Sequence, residues 1–281
     1  GAEDTTRGNE AALDALQAAE SRTVRLAGEG CPRLAHRPWL RARRECLEAG
    51  EEACRAMGLE TNTLFLAQSY LDKLALVDGA LGAEAMPAAF VACLVIASKM
   101  EDVFPCSFAD LWHFFPPGPG RGRGGPAAWR RLECQVLERL QWDMCMPTPL
   151  RFLEGLFTLG SATGGAAPAC LGPARQELAL AFLSEAARTP SVTLRFPPST
   201  VAIAAYIYGL DEHLVLLDLG TGEDNAGRMG ELCERVQHGV LLESVGWRAL
   251  KGNSLQTALS GGLPLGPALG RVHAQQLACG V

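Results

Sequence analysis

Between Ala88 and Ser98 the chain carries no charge, and wound as a helix this stretch is apolar on every side. A helix without a polar face belongs in an interior, covered all round. It runs straight into Lys99, Glu101 and Asp102. An isolated buried ammonium is very costly, so Lys99 must reach water or meet an oxygen partner. A second awkward charge lies downstream. Over Ala127–Leu140, Trp129, Leu132, Val136, Leu137 and Leu140 share one stripe at about 100° per residue. Glu133 falls inside that stripe, whereas Arg130, Arg131, Glu138 and Arg139 lie elsewhere. A carboxylate on a packing face is rare without a partner. Two readings stand side by side. Glu133 and Lys99 form an internal salt bridge with no further role, or they pair and offer their remaining capacity to a binding partner.

The rest of the pattern is also helical. Asn9–Leu26 alternates small apolar and charged residues and predicts one amphipathic helix, followed by a break at Gly28–Pro32. Trp39–Met57, containing RARRECLEAGEEACRAM, predicts a strongly charged helix. Its few apolar positions imply that it is largely exposed or covered by something outside this chain. Leu64, Ala67, Leu71 and Leu74 form the seam of a helix over Thr61–Ala75, and Pro87 starts the uncharged helix. Ser107 reads as the N-cap of a short helix reaching Phe115, with Asp110 at the N3 position.

Pro116–Pro126, PPGPGRGRGGP, is a loop, and its Arg121 and Arg123 fit a solvated tip better than a phosphate site. A Gly-, Ala- and Pro-rich linker, Gly160–Pro173, separates two halves. Beyond it come Arg175–Arg188 with Leu178, Phe182 and Leu183 buried, the small-residue helix Pro198–Gly209, and a long helix over Asp224–Gly246. In that last helix Met229, Leu232, Cys233, Val236 and Val240 are in phase. MPAAFVACLVIASK and FPPSTVAIAAYIYG are both Pro-started, small-residue, apolar helices flanked by amphipathic ones. This echo implies a duplicated helical domain of about a hundred residues. Alternating strand patterns are scarce, so the expected class is all-α.

Composition narrows the function. The 281 residues suffice for two domains, and 48% hydrophobic with 20% charged residues is a globular balance. A net charge of -6 argues against a broad phosphate-binding surface. Ten cysteines include no CxxC pair, and five histidines are scattered singly, so no zinc cluster is visible and no cofactor is expected. Reduced thiols imply an intracellular setting. No signal peptide is seen, and no apolar run nears the roughly twenty residues of a membrane span. Glycine-rich phosphate loops, nucleophile elbows and metal-ligand spacings are also missing, so the chain is not read as an enzyme. Tyr206 and Tyr208 read as core or groove lining.

Three segments carry a family resemblance. LFLAQSYLDKL (Leu64–Leu74) resembles the second-helix motif of the cyclins, which ends in an Asp-Arg or Asp-Lys pair. CLVIASKMEDVFP (Cys93–Pro105) resembles their "ASK-x-EE-x-x-P" segment. RLECQVLERLQWDM (Arg131–Met144) resembles "ME-x-x-x-L-x-x-L-x-W-x-L", closed by the "TP-x-x-FL" of Thr148–Leu153. All occur in the family's order and spacing. FPPSTVAIAAYI (Phe196–Ile207) resembles the second cyclin repeat less closely. Lys99–Asp102 and Gln141–Asp143 lean towards D-type or plant-like members.

The resemblance implies two tandem five-helix cyclin-fold repeats with an additional N-terminal helix. The expected organisation is an N-terminal helix and linker over 1–30, a first cyclin box over 31–146, a second repeat over 147–250 and a tail over 251–281. The implied function is a non-catalytic regulatory subunit that binds and activates a cyclin-dependent serine/threonine kinase, in the nucleus or cytoplasm. Lys99 and Glu133 match the family's Lys/Glu pair, which holds backbone carbonyls of the kinase loop leading into its regulatory helix. Ile96, Met100, Leu137, Trp142 and Met144 would supply apolar area around it. Neither a membrane nor a nucleic-acid partner is expected.

One departure stands out. Many cyclins open their first helix with Met-Arg-x-Ile-Leu followed by Trp, forming a groove for substrate docking peptides. Here Arg43, Arg44, Cys46 and Ala49 occupy that region. Only an arginine persists, which puts substrate docking of that type in question. A Leu-x-Cys-x-Glu motif is absent as well. The alternative to kinase regulation is a cyclin-fold transcription or scaffold protein acting without a kinase. It would need a basic surface on the second repeat, and Pro173–Trp247 holds no such cluster.

Overall fold

The computed structural model describes residues 15–16, 18–20, 36–77, 81–115, 125–162, 173–210 and 223–242, and every regular element among them is helical. The chain falls into two compact units. One holds residues 19–148 and 187–195, and the other residues 1–18, 149–186 and 196–281. Of the expected N-terminal helix, residues 15–16 and 18–20 are helical and the rest lies outside the described residues, as do Arg121, Arg123 and the tail.

The first unit is built around helix α3, Met86–Glu101, whose residues 89–98 are all buried. Helices α1 (Arg37–Met57), α2 (Thr61–Val77) and α5 (Pro126–Arg139) pack against it. Helix α4 (Phe108–Leu111) and a single 3-10 turn (Trp112–Phe114) lie between α3 and α5 in the chain. Ser107 caps α4 as predicted: Asp110 donates its N–H to the Ser107 hydroxyl, and the Asp110 carboxylate accepts the Ser107 N–H at 2.9 Å.

Helix α1 corrects its sequence reading. It is covered by this chain, because Trp39, Arg43, Cys46, Leu47, Gly50, Ala53 and Cys54 recur at steps of three and four and are all buried. His36 caps its start by accepting the Trp39 N–H at 3.3 Å. Gly58, at φ 65°, ends it in the left-handed conformation that glycine takes without a Cβ penalty. Gly50 is required by packing. A Cβ there would lie 2.7 Å from the Phe90 ring of α3 and 3.2 Å from Leu64, and Phe90 is fixed in turn against Phe115.

Arg43 sits in the apolar stripe of α1, fully buried. Its guanidinium donates to both Asp72 oxygens, at 2.8 and 2.7 Å, to the Ala187 carbonyl at 2.9 Å and to the Thr193 hydroxyl at 3.1 Å. The bidentate fork suits a planar guanidinium. Residues 187–195, including α8 (Pro190–Thr193), thereby join the first unit, and Arg188 reinforces this with an ion pair to Glu51. Helix α2 is buried far beyond its predicted seam, because its polar residues Asn62, Thr63, Tyr70, Asp72 and Lys73 all find partners.

The second unit contains α6 (Pro149–Ala162), most of α7 (Pro173–Arg188), α9 (Pro198–Leu210) and α10 (Glu223–Leu242). The helix α6, which the sequence reading did not single out, runs to Ala162 and takes in the first three residues of the expected linker. The small-residue helix α9 packs between α6 and α10 and approaches α7 so closely that a Cβ at Gly209 would meet the Arg175 carbonyl at 2.7 Å. Tyr206 lies against Phe157 and Tyr208 against Phe182, so both tyrosines are core residues. Met229, Leu232, Cys233 and Val236 form the buried face of α10. Leu178, expected to be buried, is only partly so, and the Val240 side chain and the expected helix end at Gly246 lie outside what the structure describes.

Two outcomes are expected. Arg43→Met leaves the Asp72 carboxylate buried and unpaired, so unfolding in urea should show a loss of about 3–5 kcal/mol. Arg43→Lys should recover part of it, since a lysine cannot form the fork. All seven described cysteines are free thiols, and burial pushes Cys46, Cys54 and Cys233 up to about 12 and raises Cys93 and Cys106 as well. The thiolate is the reactive form. Iodoacetamide at pH 8 should therefore label exposed Cys134 and Cys145 in the native chain and these five only after unfolding, as read by peptide mass mapping.

Candidate functional site

Lys99 stands in the last turn of α3, where a cation is favoured by the helix dipole and where the helix first leaves the core. Its Nζ donates to Oε1 of Glu133 on α5. The Lys99 side chain is 46% exposed and that of Glu133 19%. The two charges identified by helix phase are thus joined. The Glu133 side chain is mostly screened by the fold, while that of Lys99 stays about half exposed. An ammonium carries three donors, and Glu133 is the acceptor of one of them.

The apolar residues predicted around the pair divide into three groups. Met100 and Trp142 are exposed. Leu137 and Met144 are partly buried against the core. Ile96 is a correction: it is fully inside the core and presents no area to a partner. On a helix apolar all round, phase alone does not distinguish the side nearest the surface from the side nearest the centre.

Two further residues belong to this surface. Val103 and Phe104, in the loop after α3, are 86% and 88% exposed. The loop is fastened at both ends. Asp102 accepts the Glu60 N–H at 2.7 Å and the Thr63 hydroxyl at 2.9 Å, placing a carboxylate at the start of α2. At the other end, the Cys106 N–H donates to the buried Ser98 hydroxyl at 2.9 Å. Held at both feet, the loop keeps its two large apolar side chains in water. Among the described residues five large hydrophobics are exposed. Three of them (Met100, Val103 and Phe104) follow Lys99 directly, a fourth is Trp142 just past α5, and Val77 is the fifth.

The region matching the docking-groove motif has another use. Arg43 is consumed by the Asp72 fork, Cys46 is buried, and Arg44 pairs with Glu48 along the surface of α1.

The family model for the cyclin N-terminal domain matches residues 34–145, a span that contains every residue of this site. No curated protein matches the chain. Among solved structures it is similar to a viral cyclin from herpesvirus saimiri, at 17% identity and a TM-score of 0.49, covering 70% of this chain and 84% of that one. It is also similar to the CAK complex of Chaetomium thermophilum bound to ATP-gamma-S, at 18% identity and a TM-score of 0.46, covering 94% and 85%.

The fastening of the loop and the exposure of its tip separate in their effects on stability. Asp102→Ala should cost about 1–2 kcal/mol in chemical denaturation, because two donors at the start of α2 lose their acceptor. Phe104→Ala, which removes an exposed ring, should change stability by less than about 0.5 kcal/mol.

Proposed function

We propose that this chain, whose residues 34–145 match the family model for the cyclin N-terminal domain, is a cyclin: the regulatory, non-catalytic subunit that binds and activates a cyclin-dependent serine/threonine kinase in cell-cycle control. The observation that carries this reading is that the Lys99–Glu133 pair is followed along the chain by exposed large apolar side chains, Met100, Val103 and Phe104 after Lys99 and Trp142 just past the helix that carries Glu133. Stable heterodimer surfaces are built this way, with apolar anchors around a few fixed polar groups. Met100, Val103, Phe104 and Trp142 are the anchors, and Leu137 and Met144 form the partly covered floor.

Glu133 holds the Lys99 ammonium in place, and the remaining donors of Lys99 meet backbone carbonyls of the kinase. Those carbonyls precede the kinase's regulatory helix. Their capture, together with burial of the apolar anchors, favours the active position of that helix. The effect is a population shift, whose size is set by the difference in affinity for the two kinase states. The cyclin subunit contributes binding energy and no chemical step.

The test is a pull-down and kinase assay of the full chain with candidate cyclin-dependent kinases, comparing wild type, Lys99→Ala, Glu133→Ala and Phe104→Ala. Each variant should bind at least about tenfold more weakly, equivalent to about 1.4 kcal/mol, and activate correspondingly less. Wild-type behaviour of both charge variants would show the contact site to be wrong. Failure of wild type to bind any of the kinases would favour the kinase-independent scaffold.

A further inference from the structure

Helix α5 ends at Arg139, capped by Leu140, and the next two residues are both left-handed: Gln141 at φ 57° and Trp142 at φ 58°. Helices often stop on one such residue, usually a glycine. In any other residue Cβ crowds the following carbonyl oxygen. Two in succession, one of them tryptophan, are therefore held by something outside the turn. Burial of the indole does not hold them, since Trp142 is 64% exposed.

The turn itself closes through the Gln141 N–H to Glu138 O at 3.0 Å, Trp142 N–H to Leu137 O at 2.9 Å and Asp143 N–H to Leu140 O at 3.1 Å. The segment after the turn is fastened to α2. Lys73 Nζ donates to Asp143 Oδ2 at 2.9 Å, the Tyr70 hydroxyl to Met144 O at 2.7 Å, and the Thr148 hydroxyl to Asn62 Oδ1 at 2.6 Å. Asn62, Tyr70 and Lys73 share one face of α2 by their spacing. Their partners run in the opposite order, so residues 143–148 lie antiparallel to the helix on three rungs. Lys73 makes the rung nearest the turn. Its side chain is only 9% exposed, whereas that of Asp143 is 45% exposed. A lysine so enclosed needs its carboxylate, and here Asp143 reaches it through the reversal directly after Leu140.

We propose that Lys73 is a positioning residue for the kinase-facing surface. By holding Asp143 it keeps the Gln141–Trp142 turn left-handed, and so stands the Trp142 indole in solvent just beyond the end of α5, the helix that carries Glu133. Backbone strain persists only where the surroundings over-determine it, and here the strained turn gives up burial of a tryptophan in the free chain. The inference rests on the kinase-binding reading.

Its test is a double-mutant cycle on affinity for the kinase that wild type binds, using Lys73→Met, which keeps the apolar stem, and Trp142→Ala. Each single variant should bind about tenfold more weakly, and the double variant no more weakly than Trp142→Ala alone. A full extra loss from Lys73→Met in the Trp142→Ala background would overturn the proposal, because Lys73 would then act by another route. Lys73→Arg should restore most of the affinity. A second arm needs no kinase. The fluorescence of Trp142, taken as the difference between chains with and without Trp142→Phe, should lose anisotropy in Lys73→Met and keep it in Lys73→Arg. Unchanged anisotropy in Lys73→Met also overturns the proposal. Should Lys73→Met not fold, Asp143→Asn breaks the same rung from its exposed side and is read identically. If wild type binds no kinase, the partner role falls with the reading on which it rests, and anisotropy alone decides whether Lys73 holds the turn.

Discussion

Helix α3 has no side on which it can meet water, and the first unit is organised by that constraint. Ten consecutive residues, 89–98, are removed from solvent, which only neighbours on every flank can achieve. The charged helix α1 is drawn into this sheath through its sparse apolar stripe, and Gly50 lets it approach until it touches Phe90. The same constraint decides where α3 can contact anything else. Its sides are taken, so its C-terminal end is where charge appears and where the surrounding surface carries exposed apolar side chains.

Polar groups inside the unit serve as fasteners. Helix α2 ties α1 through Asp72 and Arg43, the loop after α3 through Thr63 and Asp102, and the segment after α5 through Lys73, Tyr70 and Asn62. Hydrophobic burial alone would allow these pieces to slide, since it is non-directional. A bidentate fork or a single buried ammonium accepts one geometry. Such pairs add modest net stability when intact and cost heavily when one partner is lost. Their effect is to hold the loop at 102–106 and the turn at 141–142 in place. Both carry the exposed residues on which the proposed kinase surface depends.

Much of the candidate site was legible because helix phase makes a misplaced charge conspicuous. Glu133 within an apolar stripe and Lys99 at the end of an uncharged helix each demanded a partner, and the fold gives them one another. Three features escaped that logic. Val103 and Phe104 lie in a loop, where no periodicity marks which side chain faces out. Ile96 has the right phase to flank Lys99, yet phase carries no information on a helix apolar on all sides. Helix α1 looked exposed when its apolar residues were counted, although their spacing at three and four was already that of a buried stripe.

The sequence by itself determined the all-helical class, most limits of the helices it predicted, though not α6 and α8, and a motif series that resembles the cyclin N-terminal domain. These follow from interactions between residues three and four apart, which are written locally along the chain. Only the tertiary structure decided which charges are buried and which are open. Arg43 reads as one more arginine on a charged helix until Asp72, 29 residues away, closes on it. Lys73 reads as the end of a helix motif until Asp143, 70 residues away, is brought to it through a left-handed turn. A charge can be enclosed only where a partner meets it at hydrogen-bonding distance. For these residues that partner is distant in the chain and supplied by the fold.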